Sequence, residues 1–173
     1  MDEYIFYPKL NFDLDRIKAI VIKHMNLKIS GYATHQRRVC DEEYLIELQK
    51  QYPFLSNLYN IYTTPPNYLT PIHICPSRGC AINIPIIYTD DSHTIFYKIK
   101  DDAEIKYIEN RIYEVIKKED ATETFRYTLD RPTLMNTKLP HSVVGGPLRP
   151  RTIMSWSINL DSDYEITKKL LGG

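Results

Sequence analysis

The fold of this chain is predicted first from residues 80–99, which read CAINIPIIYTDDSHTIFYKI. Two short segments rich in β-branched and aromatic residues, Cys80–Ile87 and Thr94–Ile99, flank the polar cluster Asp90-Asp91-Ser92. Segments of this length and composition on either side of a polar turn are typical of β-strands. The stretch therefore predicts a fold built mainly from short strands.

The same pattern continues on both sides of this stretch, from Pro66 to the end of the chain. Seven further segments have the composition of strands: Ile72–Cys75, Glu104–Tyr107, Ile112–Lys117, Glu123–Leu129, Thr133–Asn136, Ser142–Val144 and Thr152–Leu160. Many short strands in about 100 residues favour a sandwich, barrel or jelly roll. We find no internal repeat and expect one domain over residues 1–173, with its β core in residues 67–173.

Residues 1–66 are predicted to be a helical region that supports the β core. A helix is expected from Asn11 to Met25, because apolar residues recur there at spacings of three and four. A second helix is expected to begin near Asp41 and to end at Pro53. Leu55, Leu58 and Tyr62 suggest a further helical turn. We therefore predict two or three N-terminal helices packed against a mainly β domain.

Composition and charge limit the classes of function. The 173 residues contain 22 Lys and Arg and 22 Asp and Glu, so the balance gives no evidence for nucleic-acid binding. The first ten residues lack the basic start of a signal peptide, and the longest uncharged apolar stretch is too short to span a bilayer. Three cysteines form no Cys-x-x-Cys pair. We expect a cytoplasmic protein without a membrane segment.

Two segments carry residues suited to metal and anion chemistry: TPIHICPSRGCAINIPI at 70–86 and NTKLPHSVVGGPLRPRTIMS at 136–155. Side chains two residues apart on a strand point to the same side, so His73 and Cys75 can face one metal ion. The second segment supplies His141 and, ten residues later, Arg151. A guanidinium group grips a carboxylate through paired hydrogen bonds. Ser155 shares a strand face with Arg151 and can place a hydroxyl there.

Together these segments resemble the two halves of the active site in the non-haem Fe(II), 2-oxoglutarate-dependent oxygenases. The likeness is strongest to small members with a prolyl-hydroxylase or phytanoyl-hydroxylase type of core, including phage-borne ones. His73 and His141 match the two histidines of that family, and Arg151 matches the basic residue that holds the far carboxylate of 2-oxoglutarate. The resemblance implies a double-stranded β-helix, or jelly roll, that uses Fe(II) and 2-oxoglutarate to hydroxylate or otherwise oxidise a substrate, which the sequence does not identify.

The sequence departs from the family pattern at residue 75, where the family has Asp or Glu and this chain has Cys75. One interpretation is a His-x-Cys…His site in which the thiolate is a ligand of Fe(II) or Zn(II). A second is a coordination position left to water or halide, as in related halogenases. A third is a fold retained for binding without oxidation. The predicted function is therefore an oxygenase-like protein, with an inactive binding module or a cupin-like zinc protein as alternatives.

Further residues are expected near the co-substrate. The resemblance implies that Asn83, a polar residue after the first ligand strand, faces 2-oxoglutarate and that Tyr97 reaches its carboxylate. It also implies that the Ser155 hydroxyl lies beside the same carboxylate as Arg151. Asn83 and Tyr97 have an equally good interpretation as packing residues. Arg78 is expected at the surface or facing substrate. A small-molecule co-substrate is thus the expected partner.

Overall fold

The computed structural model describes residues 1–25, 32–75, 78–108, 112–115, 117–159 and 163–173, with the backbone alone for 107–108 and 112–115. Three α-helices are present in these ranges, α1 (Leu14–His24), α2 (Glu43–Gln51) and α3 (Tyr164–Leu170). The strands are β1 (Ile5–Phe6), β2 (Thr34–Val39), β3 (Leu55–Thr64), β4 (His73–Ile74), β5 (Cys80–Ile87), β6 (His93–Ile99), β7 (Ile105–Ile108), β8 (Ile112–Val115), β9 (Ala121–Tyr127), β10 (Thr133–Asn136), β11 (His141–Val144) and β12 (Arg151–Ile158).

The strands form two six-stranded antiparallel sheets. Sheet A has the order β1-β10-β5-β12-β3-β2, and sheet B has the order β7-β8-β4-β11-β6-β9. The chain crosses between the sheets at every step from β4 to β6 and again from β9 to β12. Two antiparallel sheets joined by such crossings form a jelly roll. The predicted mainly β jelly-roll fold is confirmed.

The two central strands of sheet A are buried on both faces. On β5, Ile82 and Ile84 pack toward the helices, and on β12 Trp156 does the same. The alternate residue Ile153 of β12 belongs to a second apolar cluster, which also includes Phe96 of sheet B. Because side chains alternate along a strand, the residues between the helix-facing ones point toward sheet B. This alternation positions the polar residues of the site.

Helices α1 and α2 cover the outer face of sheet A, as predicted. Asp13 caps α1 by accepting a hydrogen bond from the backbone nitrogen of Arg16 at 3.0 Å. The helix buries Ile17, Ile20 and Val21, and α2 buries Leu45 and Leu48. Both helices therefore lie where the apolar spacing placed them. None of the helices among the described residues is long and apolar enough to cross a membrane.

The helical interpretation of Leu55, Leu58 and Tyr62 is wrong, because this segment is strand β3. A spacing of three and four residues suits a helix, but β12 and β2 lie on either side of β3 and satisfy its backbone hydrogen bonds. The region 1–66 also contains β1 and β2, so it is not helical throughout. The third helix, α3, lies near the C-terminus instead.

Candidate metal centre

A cavity of about 220 Å³ lies between the two sheets. Strands β5 and β12, which are buried on both faces, contribute side chains to one wall. Strands β4, β6 and β11 of sheet B contribute side chains to the opposite wall. Six of the seven predicted site residues line it: His73, Cys75, Asn83, His141, Arg151 and Ser155. The fold therefore brings together residues that lie as far apart as 73 and 155 in the chain.

The two histidines face each other across neighbouring strands. His73 of β4 and His141 of β11 are direct partners in sheet B, and their ring centroids are 4.4 Å apart. The Nδ1 atom of His73 is 2.9 Å from the carbonyl oxygen of Pro71, and that of His141 is 2.8 Å from the carbonyl oxygen of Leu139. Each carbonyl accepts the Nδ1 proton, so Nε2 is the ring atom that faces Cys75 and that can bind a metal.

Cys75 completes a group of three metal-ligating side chains. Cys75 comes directly after β4 in the chain, and its backbone nitrogen donates to the carbonyl oxygen of Thr137 at 3.0 Å. The ligand atoms of His73, Cys75 and His141 all lie within 4.8 Å of one another. Nitrogen and sulfur ligands at this separation suit Fe(II) or Zn(II).

The electrostatic surroundings favour the thiolate form of Cys75. Burial raises the pKa of the thiol, but hydrogen bonds from His141 and His73 and the charge of Arg78 outweigh burial and lower the pKa to about 4. Burial lowers the pKa of His141, and the neighbouring His73 lowers it further. A metal ion requires the thiolate together with neutral imidazoles, so its binding would displace the protons that the imidazoles donate to Cys75.

Arg151 is a buried cation without a carboxylate partner among the described residues. Its side chain is 2% exposed, its Nη2 donates to Thr94 Oγ1 at 3.4 Å, and its Nε is buried and has no hydrogen-bond partner there. Burial lowers the pKa of the guanidinium to about 10, so it remains charged at neutral pH. Buried charges are normally paired, and this one is left to pair with an anion in the cavity.

Asn83 and Ser155 are partners on the neighbouring strands β5 and β12. Both are buried cavity residues, and Asn83 Nδ2 donates to the sulfur of Met135 at 3.2 Å. The expectation that Ser155 lies beside the same carboxylate as Arg151 stays a prediction. Four strand residues separate the two backbones by about 13 Å. The hydroxyl that Arg151 contacts is that of Thr94.

Tyr97 does not line the cavity, which favours its interpretation as a packing residue over contact with the co-substrate. Its hydroxyl lies 2.9 Å from Ser142 Oγ, and its ring packs with Ile72 and Ile95. On β6 the cavity residue is Thr94, and the alternate residues 95 and 97 point to the opposite face. The buried Tyr127 lies close enough to Arg151 for the guanidinium to act on the pKa of the phenol, and burial raises that pKa.

The sequence left Arg78 open between the surface and the substrate, and the structure places it in the cavity wall. The residue is half-buried, lines the cavity, and donates from Nη1 to Ser155 Oγ and from Nη2 to Tyr62 OH, each at 3.2 Å. It lies just before β5, outside any strand, where no periodicity predicts the direction of a side chain. The one available signal was its position between Cys75 and Asn83, two residues already expected in the site.

Comparisons with known proteins found solved structures of low similarity and no match in sequence. No protein-family model matches the chain, and none of the curated proteins matches it. A vicilin from hazelnut, Corylus avellana, is 8% identical with a TM-score of 0.44, covering 79% of this chain and 31% of the vicilin. Peruvianin-I, a cysteine peptidase from Thevetia peruviana latex, is 12% identical with a TM-score of 0.43, covering 81% of this chain and 69% of the peptidase.

The solved structures also include a dioxygenase. The Fe(II)/α-ketoglutarate-dependent dioxygenase TqaL is 9% identical with a TM-score of 0.37, covering 86% of this chain and 75% of TqaL. The chain spans about a third of the length of the vicilins it matches. At such identities the activity has to be inferred from the cavity of this chain itself.

Proposed function

We propose that this chain binds Fe(II) through His73, Cys75 and His141, binds 2-oxoglutarate with Arg151, and oxidises a small substrate. The observation that carries the proposal is the buried, charged Arg151 in the same cavity as the three ligand atoms. A dicarboxylic keto-acid has the two ends that this arrangement needs. One end chelates a metal, and the other is an anion for the guanidinium.

The residues of the chain have separate tasks in this proposal. Bound Fe(II), 2-oxoglutarate and oxygen supply the oxidising chemistry of this class of enzymes. His73 and His141 are held in the metal-binding tautomer by backbone carbonyls, and Cys75 adds a negative ligand. Arg151, with Thr94 beside it, orients the far carboxylate. Three protein ligands leave coordination positions for the keto-acid and oxygen.

The proposal is tested by metal analysis and by anaerobic titration of the Fe(II)-loaded protein with 2-oxoglutarate. We expect one metal ion per chain and one molecule of 2-oxoglutarate that binds when the metal is present. His141→Ala should abolish metal binding, whereas His93→Ala, a half-buried histidine that contacts Thr128, should not. Failure of the metal-loaded wild type to bind 2-oxoglutarate would contradict the proposal.

A zinc protein is the second candidate, and Cys75 is the observation that favours it. Thiolate and imidazole are the usual protein ligands of Zn(II), and the site has two imidazoles and one thiolate. In that case the purified protein would contain zinc, and 2-oxoglutarate would bind neither the zinc-loaded nor the Fe(II)-loaded form. An absence of metal in both preparations would instead identify a binding module without metal chemistry.

A further inference from the structure

Arg78 is a second cation in the cavity, and it is held in place at both ends. Its carbonyl oxygen accepts a hydrogen bond from Thr137 Oγ1, which fixes the backbone. Its guanidinium donates to Ser155 Oγ on β12 and to Tyr62 OH on β3. Contacts from two strands and one loop keep the charged group directed at the cavity rather than at solvent.

The two hydroxyls around Arg78 are arranged as donors toward a ligand. The Ser155 and Tyr62 oxygens each accept a hydrogen bond from the guanidinium, so each hydroxyl retains its own proton to donate. A guanidinium also has five N–H donors, more than the bonds to Ser155, Tyr62 and the neighbouring Cys75 use. The result is a cluster of donors, one of them charged, of the kind that binds a carboxylate.

This donor cluster is distinct from the group around Arg151. Ser155 lies four residues from Arg151 on β12, a separation of about 13 Å along the strand. The two guanidiniums also contact different hydroxyls, Arg151 that of Thr94 and Arg78 those of Ser155 and Tyr62. Arg78 therefore remains available to bind a ligand other than the co-substrate.

The excess of positive side chains in the cavity also favours the binding of another anion. No Asp or Glu lines the cavity in the part of the chain that the structure describes, whereas Arg78 and Arg151 both do. The negative group beside Arg78 is Cys75, and in the metal-loaded protein this thiolate shares its charge with the metal ion. Arg151 pairs with the co-substrate, so Arg78 keeps a positive charge without an equal counter-charge.

We propose that Arg78, together with the Tyr62 and Ser155 hydroxyls, binds a carboxylate of the substrate, which makes the substrate a small carboxylic acid. The inference rests on the proposed function, because it assigns the substrate of that same site. A cavity of about 220 Å³ is smaller than the roughly 300–1,000 Å³ that holds drug-sized ligands, so the acid is small. The carboxylate of the acid binds Arg78, and the rest of the molecule lies toward the metal.

The test uses zinc-loaded protein saturated with 2-oxoglutarate, because zinc prevents turnover. Acetate and acetamide, which match in shape and differ in charge, are titrated separately while the guanidinium ¹⁵N–H signals are followed by NMR. Acetate should shift the Arg78 signal, and acetamide should not. Arg78→Gln should weaken acetate binding by about tenfold or more, since a charge-assisted hydrogen-bond set is lost. Arg149→Gln is the control, because Arg149 is exposed and packs over Tyr88.

Two further measurements separate the possible outcomes. Arg78→Lys keeps the charge but loses the planar fork, so weakened acetate binding in a folded Lys variant would also support the proposal. Equal responses to acetate and acetamide, or full acetate affinity in Arg78→Gln, would overturn it. Lost Zn(II) affinity with unchanged acetate affinity would make Arg78 a positioning residue for Cys75 and would also overturn it.

The proposed function fails separately. If 2-oxoglutarate does not bind the zinc-loaded or Fe(II)-loaded protein, the oxygenase assignment is wrong. The acetate titration is then repeated without 2-oxoglutarate, and the Arg78 signal reports whether this residue binds a carboxylate on its own account. A shift confined to the Arg151 signal would place the anion site at Arg151 and would contradict the role of Arg78.

Discussion

Replacing Arg151 by methionine should stabilise the metal-free protein. The guanidinium is almost fully buried, and burial lowers its pKa well below the usual value, to about 10. Since each tenfold change in a proton-binding constant corresponds to about 1.4 kcal/mol, the buried charge costs about 3 kcal/mol. Methionine fills most of the space of the arginine stem, and the long hydrogen bond to Thr94 is worth little. We expect the free energy of unfolding to rise by about 1–3 kcal/mol.

The same substitution should weaken the binding of 2-oxoglutarate. Removal of one partner from a buried, hydrogen-bonded charge pair costs about 2–5 kcal/mol of binding free energy. This range corresponds to a loss of affinity of about 30-fold to several thousandfold. If Arg151 contributed only to stability, its replacement could not raise stability and weaken ligand binding at the same time.

Urea unfolding of the metal-free protein and calorimetric titration of the zinc-loaded protein with 2-oxoglutarate measure the two effects. Arg149→Met is the matched control, because this exposed arginine lies outside the cavity over the Tyr88 ring. Its effect on stability should stay within about 1 kcal/mol, and its affinity for 2-oxoglutarate should not change. If Arg151→Met is less stable than the wild type and binds 2-oxoglutarate equally well, Arg151 is a structural residue and the reasoning is refuted.

The remaining predictions concern pH, Cys75 and the two tyrosines. The folded protein loses the Arg151 proton near pH 10, while the unfolded chain keeps it to a higher pH, so the urea midpoint of the wild type should approach that of Arg151→Met as the pH rises above 10. Cys75→Ser should weaken Zn(II) binding by tenfold or more in a chelator competition, whereas Cys40→Ser, which removes a buried thiol outside the site, should not. Neither Tyr97 nor Tyr127 lines the cavity, so Tyr97→Phe and Tyr127→Phe, which remove buried hydrogen bonds to Ser142 and Met135, should each lower the free energy of unfolding by about 1 kcal/mol without changing 2-oxoglutarate affinity; a loss of affinity in calorimetry would contradict the placement of that ring.

The sequence alone predicted the positions of the buried strands, because burial determines which residues they contain. The predicted bounds of β5 and β10 agree with the structure, and the fold class follows from the many short strands. The error at Leu55, Leu58 and Tyr62 has a different origin. This segment lies between two other strands, and that arrangement depends on β2 and β12, which are distant in the chain. Local spacing carries no information about such neighbours.

The same distinction applies to the site residues. His73, Cys75, Arg151 and Ser155 could be placed from strand alternation, because each lies on a strand or directly after one. Arg78 could not, since it lies outside any strand and its direction is set by hydrogen bonds to residues 16 and 77 positions away. A loop residue has no period from which its direction can be read.

Asn83 shows which sequence signal deserved more weight. On a strand covered by helices on one face and by the opposite sheet on the other, an apolar side chain is favourable at every position. A polar residue there costs free energy unless it has a partner. Asn83 of β5 lies directly opposite Ser155 of β12, and both open into the cavity while Ile82 and Ile84 pack under the helices. Polar positions within strands that are otherwise apolar on both faces therefore mark the inner wall of the site, and two such positions on neighbouring strands indicate a ligand between the sheets.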